Sequence, residues 1–229
     1  FILMNTGYDQ PVSEHGLLTT IAYGIGGEIC YGLEGAIFNA GTVIQWQRDQ
    51  LGLFSDAAQT EDMAADLPDN GGVYLVPALT GLGAPHWAPE ARGIITGLKR
   101  STTAAHLVRA ALEAQAYQTR DLLDAMRDDS GLVLNSIKVD GGMVQNSWLC
   151  QFLADICDTP VVRPKNIEST VWGVAWLAGR EAGLYRSPAA EAAATSSQTF
   201  DPVMTEKTRR GLISGWSTAV GQCLSGIMA

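Results

Sequence analysis

Asp140-Gly141-Gly142, with the amide of Asn146 four residues beyond Gly142, is the stretch with most chemistry to offer. Two adjacent glycines remove two Cβ atoms, so a flat or bulky ligand can approach the backbone. A helix starting at Asn146-Ser147 would aim free N–H groups and the positive end of its dipole at the same place. Phosphate or ribose is the chemistry such a seat suits; a tight turn that merely uses glycine is the competing reading. Asp140 reads as a residue that stabilises the turn rather than as a base.

The flanking elements must hold that turn. Ser136-Ile137-Lys138-Val139 alternates polar and apolar residues, as a half-buried strand does. After the turn, Trp148, Leu149, Phe152, Leu153 and Ile156 fall at helical spacing, Asp158-Thr159-Pro160 stops the helix, and Val161-Val162 starts another strand. The unit reads strand, glycine turn, helix, strand.

The rest of the chain supplies a frame. Phe1 to Asn5, Leu17 to Tyr23 and Glu28 to Leu33 read as strands joined by glycine-rich turns, an expected antiparallel meander. Helices are expected over Thr42 to Leu51, Ala57 to Asp66 (acidic and exposed), Ala104 to about Arg127, Thr170 to Leu184 and Glu206 to Met228. Strands are expected over Val73 to Pro77 and Gly93 to Leu98, with a loop from Thr80 to Pro89 between them. In the last helix Leu212, Trp216, Val220, Cys223, Leu224 and Ile227 form one apolar stripe. Ser187 to Gln198, rich in Ala and Ser, reads as the loosest segment. Strands first and then helices alternating with strands give an α/β domain, a mixed sheet with helices on both faces, and one domain over residues 1–229.

Composition narrows the function. The 229 residues carry 15 Lys and Arg against 24 Asp and Glu, a net charge of −9 without a basic cluster, which argues against a nucleic-acid surface. Cys30, Cys150, Cys157 and Cys223 include no CxxC, so reduced thiols in a cytoplasmic protein are expected. Cys150 and Cys157 read as core or flank residues rather than metal ligands, and His15, His86 and His106 lack ligand spacing, so no metal site is expected in this chain. No apolar run reaches membrane-spanning length. The chain opens directly in an apolar strand, so it is expected to be part of something longer.

Three stretches carry a family resemblance. Gly93-x-Ile95-x-Gly97-Leu98, followed after seven residues by His106-Leu107-x-x-Ala110-Ala111-Leu112-Glu113, resembles the second signature of the FGGY carbohydrate kinases. Val139-Asp140-Gly141-Gly142 with Asn146 resembles the adenosine motif of the wider actin, Hsp70 and sugar-kinase superfamily. Within FGGY, Pro77 to Trp87 with Ala91-Arg92-Gly93, Phe1 to Gly7, and Ala116 to Asp121 are similar to the branch that phosphorylates glycerol.

The resemblance implies a ribonuclease-H-like (actin-like ATPase) fold and the C-terminal half of a glycerol-phosphorylating enzyme that uses ATP and Mg2+. It places Gly41, Ile44, Gln45, Gly142, Met143 and Asn146 around the nucleotide and packs Phe1 on the glycerol carbons. It implies that the catalytic base, most of the glycerol pocket and the groups holding Mg2+ lie in an N-terminal half upstream, so no catalytic residue is assigned here. The expected partners are glycerol, ATP or ADP, that N-terminal half and further copies in a homo-oligomer. Two departures stand out: the family's Gly-Thr-Gly turn is absent before Phe1, and Ala88 follows Trp87 where the family usually has Asp. Taken alone, Gly41 would be a helix-start glycine, His86 and Trp87 loop-packing residues, and Glu113 and Asp121 surface or inter-helix partners. The rival readings are a kinase of xylulose or another sugar, a non-enzymatic actin-like or chaperone-like ATPase, and a binding module that works alone.

Overall fold

The computed structural model describes residues 1–184 and 197–226. A long helix organises it. Helix α3, Ala104–Ser130, starts behind Thr103, whose backbone N–H donates to His106 Nδ1 at 3.2 Å, and ends at Gly131, which adopts φ +67°. Ala110, Ala111, Ala114 and Ala116 keep it thin, so neighbouring elements approach it closely and most of its length is buried.

Three sheets pack around this axis. In the first, β1 (Ile2–Gly7), β2 (Leu18–Ile25) and β3 (Glu28–Gly35) are antiparallel, but the order is β1-β3-β2. The expected meander is therefore corrected. The Gly26-Gly27 turn, both residues at positive φ, fixes β2 against β3, and the connection over residues 8–17 is long enough for β1 to take the other edge of β3. Met4 and Leu33 on this sheet pack against Leu122 and Met126 of α3. The second sheet pairs β4 (Tyr74–Val76) with β5 (Ile94–Thr96).

The third is mixed. β6 (Ile137–Lys138) runs parallel to β7 (Val161–Pro164), with α4 (Ser147–Cys157) as the crossover, and β8 (Ser197–Phe200) closes antiparallel on β7. This is the strand, glycine turn, helix, strand unit read from the sequence. β6 is shorter than expected, although Val139 N–H still donates to Val162 O at 3.1 Å. Ser197 and Gln198, read as part of a loose segment, lie in β8, because Phe200 is buried there and Arg163 bonds Gln198 Oε1 across the pair. The rest of that segment, with Ile227 and Met228, lies outside the described residues.

Helices α1 (Gly41–Asp49), α2 (Gln59–Ala65), α5 (Ser169–Glu181) and α6 (Glu206–Ser225) complete the chain. Tyr117 of α3 stacks on Trp216 of α6 with ring centroids 5.2 Å apart and meets Phe152 of α4 edge-on at 5.7 Å, joining three helices. Asp121 accepts Trp216 Nε1–H at 2.7 Å, so it is an inter-helix partner as expected. Glu113 is not at the surface. Its fully buried carboxylate accepts from Arg109 Nε at 2.8 Å, Asn70 Nδ2 at 2.9 Å and Tyr117 OH at 3.0 Å. Burial pushes that carboxyl up, against the pull of these donors.

Candidate functional site

The glycine turn is built as two unlike glycines. Gly141 takes φ +83° and ψ 178°, a conformation essentially confined to glycine, and its N–H donates to Ile167 O at 2.8 Å. Asp140 accepts from Ser169 Oγ at the start of α5, which fits its reading as a turn-stabilising residue. Gly142 begins a 3-10 turn, Gly142–Gln145, without positive φ, and a Cβ built on it meets no atom within 4 Å. The steric need thus falls on Gly141, whereas Gly142 faces open space.

That space is a cavity of about 300 Å³. Ile44 of α1, Leu112 of α3, and Gly142, Met143, Gln145 and Asn146 of the turn line it. Two separate segments, α1 and the glycine turn, therefore bring together four of the residues named from the sequence: Ile44, Gly142, Met143 and Asn146. Gly41 stands just behind, since a Cβ on it would lie 3.6 Å from Met143 Cγ. Gln45 does not line the cavity; it is exposed on α1, one residue past Ile44.

Asn146 has two structural duties. Its Oδ1 accepts Leu149 N–H at 2.8 Å as the N-cap of α4, and its Nδ2 donates to Thr60 Oγ1 at 3.3 Å. The second bond brings in a wall the sequence reading missed. Asp56, Ala57, Ala58, Thr60 and Glu61, at the start of α2, line the same cavity. The expectation of an exposed α2 is corrected: Thr60 and Ala64 are buried, and Ala64 joins the core with Val108 and Leu112 of α3. The signal for this was Thr60 and Ala64 at i, i+4 within an otherwise acidic helix, a stripe only one small residue wide.

Phe1 stands elsewhere. It is 91% exposed, at the edge of a separate groove of about 550 Å³ between β1 and the segment around β6. Met143 lines both spaces. Trp87, at φ +46°, donates its Nε1–H to Gly16 O at 2.5 Å and meets Phe38 edge-on, so it packs its loop onto the frame. All four cysteines are free and buried, and burial pushes the Cys157 thiol up to about 12. Among the described residues, no group of three or more His, Cys, Asp or Glu is arranged to hold a metal ion, and no helix is long and apolar enough to cross a membrane.

An apolar-walled cavity with a glycine floor, a helix N-terminus and a few polar groups suits the base and sugar of a nucleoside better than a triphosphate, because Asp56 and Glu61 would repel phosphate. The chain is 55% identical over 227 residues to a glycerol kinase of Rhodospirillum centenum, covering 99% of this chain and 45% of that protein. The chain thus spans about half the length of the curated relatives it matches. The crystal structure of Plasmodium falciparum glycerol kinase with ADP superposes with a TM-score of 0.88 at 35% identity, over 97% of this chain and 45% of that one. Gluconate kinase from Lactobacillus acidophilus, at 20% identity and a TM-score of 0.77 over 96% of this chain and 44% of that one, shares the fold. The architecture is the ribonuclease-H-like fold of the actin-like ATPases. Residues 1–182 match the C-terminal domain of the FGGY family of carbohydrate kinases, and it is to that family that this chain belongs.

Proposed function

We propose that this chain is the nucleotide-holding half of an enzyme that transfers the γ-phosphoryl group of ATP to a terminal hydroxyl of glycerol. The observation that carries the reading is the single cavity formed by Ile44, Gly142, Met143 and Asn146, from segments as far apart as α1 and the glycine turn. The names of the relatives supply the acceptor. In this reading Ile44 and Met143 sandwich the nucleoside. Gly142 lets it approach the backbone. Gly41 and Gln45 extend the contact along α1 toward the sugar and phosphates. Phe1, with its ring free, covers the apolar edge of the glycerol.

Phosphoryl transfer depends mostly on positioning and charge stabilisation. The work of this half is to fix the nucleotide's base and sugar so that its terminal phosphate faces an acceptor held by the N-terminal half, where the base on the acceptor hydroxyl would reside. Mg2+ would neutralise the phosphates when bound, and no ligand for it is assigned in this chain. Closure of the two halves would exclude water and limit ATP hydrolysis. We further propose that residues 1–229 form one domain, that the enzyme works in the cytoplasm, and that it assembles as a homo-oligomer.

The test is a competition among glycerol, xylulose, ribulose and gluconate in the full-length enzyme with ATP. Glycerol is expected to give the highest kcat/KM, and the 229-residue chain alone is expected to give no turnover. A sugar that outcompetes glycerol would move the acceptor to a sister enzyme. Turnover by the isolated chain would overturn the division of labour.

A further inference from the structure

The polar groups around the cavity are not equally available. Thr60 Oγ1 donates to Ala57 O at 2.6 Å and accepts from Asn146 Nδ2. Asn146 Oδ1 is engaged by Leu149 N–H; Asp56 accepts Ala58 N–H at Oδ1 at 2.9 Å and among the described residues keeps Oδ2 free, but it stands exposed at the solvent end of the wall. Gln145 presents an amide, which both donates and accepts and so discriminates little. Glu61 is the half-buried acid of the wall, and among the described residues its side chain makes no hydrogen bond or ion pair. An ionised carboxylate only accepts, so the ligand edge facing it must donate.

We propose that Glu61 sets the base preference of this site by accepting a hydrogen bond from the exocyclic amine of an adenine ring. The inference rests on the nucleotide reading above and adds a specificity residue to it. The size of the cavity limits the choice: about 300 Å³ is the small end of ligand pockets, room for a nucleoside. The apolar side chains of Ile44, Leu112 and Met143 suit the faces of a planar ring, which leaves the ring edge to the polar wall of α2. A purine with a keto oxygen in place of the amine would set that oxygen against the carboxylate. A site built to bond a donor rejects an analogue that lacks it, because its own acceptor is left unpaired.

The experiment uses the full-length enzyme, wild type and Glu61→Gln, with ATP, ITP, GTP and 2′-deoxy-ATP as probes. Binding is measured by calorimetry and turnover by steady-state kinetics, with thermal unfolding as the check on folding. Wild type is expected to prefer ATP to ITP. In Glu61→Gln, whose amide can donate to a keto oxygen, the ATP-to-ITP ratio of kcat/KM is expected to fall by about tenfold, mostly through KM. Glu61→Ala should lower ATP affinity without restoring ITP. An unchanged ATP-to-ITP ratio in a folded Glu61→Gln that still binds ATP overturns the proposal. A change confined to the ATP-to-2′-deoxy-ATP ratio overturns it too, by assigning Glu61 to the ribose. If neither protein binds any of the four nucleotides, the nucleotide reading itself fails.

Discussion

The side-chain amide of Asn146 donates to Thr60 Oγ1 at 3.3 Å while the same side chain caps α4, so one residue ties the glycine turn to the helix that walls the cavity. The shape of the site therefore depends on a bond between two elements 86 residues apart in the chain.

That bond is measurable. Asn146→Ala removes a cap and should lower stability by about 1 kcal/mol, with a loss of nucleotide affinity in the full-length enzyme. Thr60→Val removes the hydroxyl at nearly constant shape. A double-mutant cycle on thermal stability should show coupling of about 0.5–1.5 kcal/mol between the two positions. Strictly additive effects would mean that the tether contributes nothing.

The two glycines of the turn should respond differently to a side chain. Gly141→Ala forces a Cβ into φ +83° and ψ 178°, at a stability cost on the order of 1–3 kcal/mol. At Gly142 a Cβ meets no protein atom within 4 Å, so in Gly142→Val the fold should hold while the added methyls extend into the cavity. Nucleotide affinity is expected to fall by roughly ten- to a hundredfold, with glycerol affinity much less affected. A folded Gly142→Val enzyme with unchanged ATP binding would reduce the motif to a turn.

Asp121 predicts a pH dependence. Burial raises its carboxyl to about 6, the Trp216 indole pulling the other way, against an ordinary value of 3.8. Between about pH 4 and 6 the native state holds more protons than the unfolded chain, so this group makes stability fall as pH rises through that window. Above it the cost is fully present, on the order of 1–3 kcal/mol. Asp121→Asn keeps an acceptor for Trp216 Nε1 and stays neutral. The variant should be more stable at pH 7 and lose that part of the slope, as read by chemical denaturation from pH 4 to 8. Equal stability at pH 7 would show the carboxylate to be solvated.

Local chemistry made part of this molecule legible. The turn at Gly141 and the cap at Asn146 each follow from the conformation or hydrogen bond that one residue type supplies, and each stands where the sequence puts it. The pairing of β1 with β3 was not legible, because alternation within a strand does not say which edge it will meet. The acidic surface of α2 concealed its role, because Thr60 and Ala64 are small and their burial is decided by α3 and α4, which arrive from elsewhere in the chain. Glu113 misled for the same reason. A carboxylate on a helix reads as solvated until Asn70, Arg109 and Tyr117 are seen to converge on it. Among the cavity residues, Gly142 and Asn146 came from the motif and Ile44 and Met143 from the family resemblance, whereas Glu61 needed the fold.

Met143 lines both the cavity at Gly142 and the groove that ends at Phe1. The residue common to the two linings carries a thioether side chain with three rotatable bonds and soft, polarizable sulfur. Such a side chain yields rather than breaks: a ligand that presses on Met143 from one chamber restricts its rotamers, and with them the room it leaves in the chamber next door.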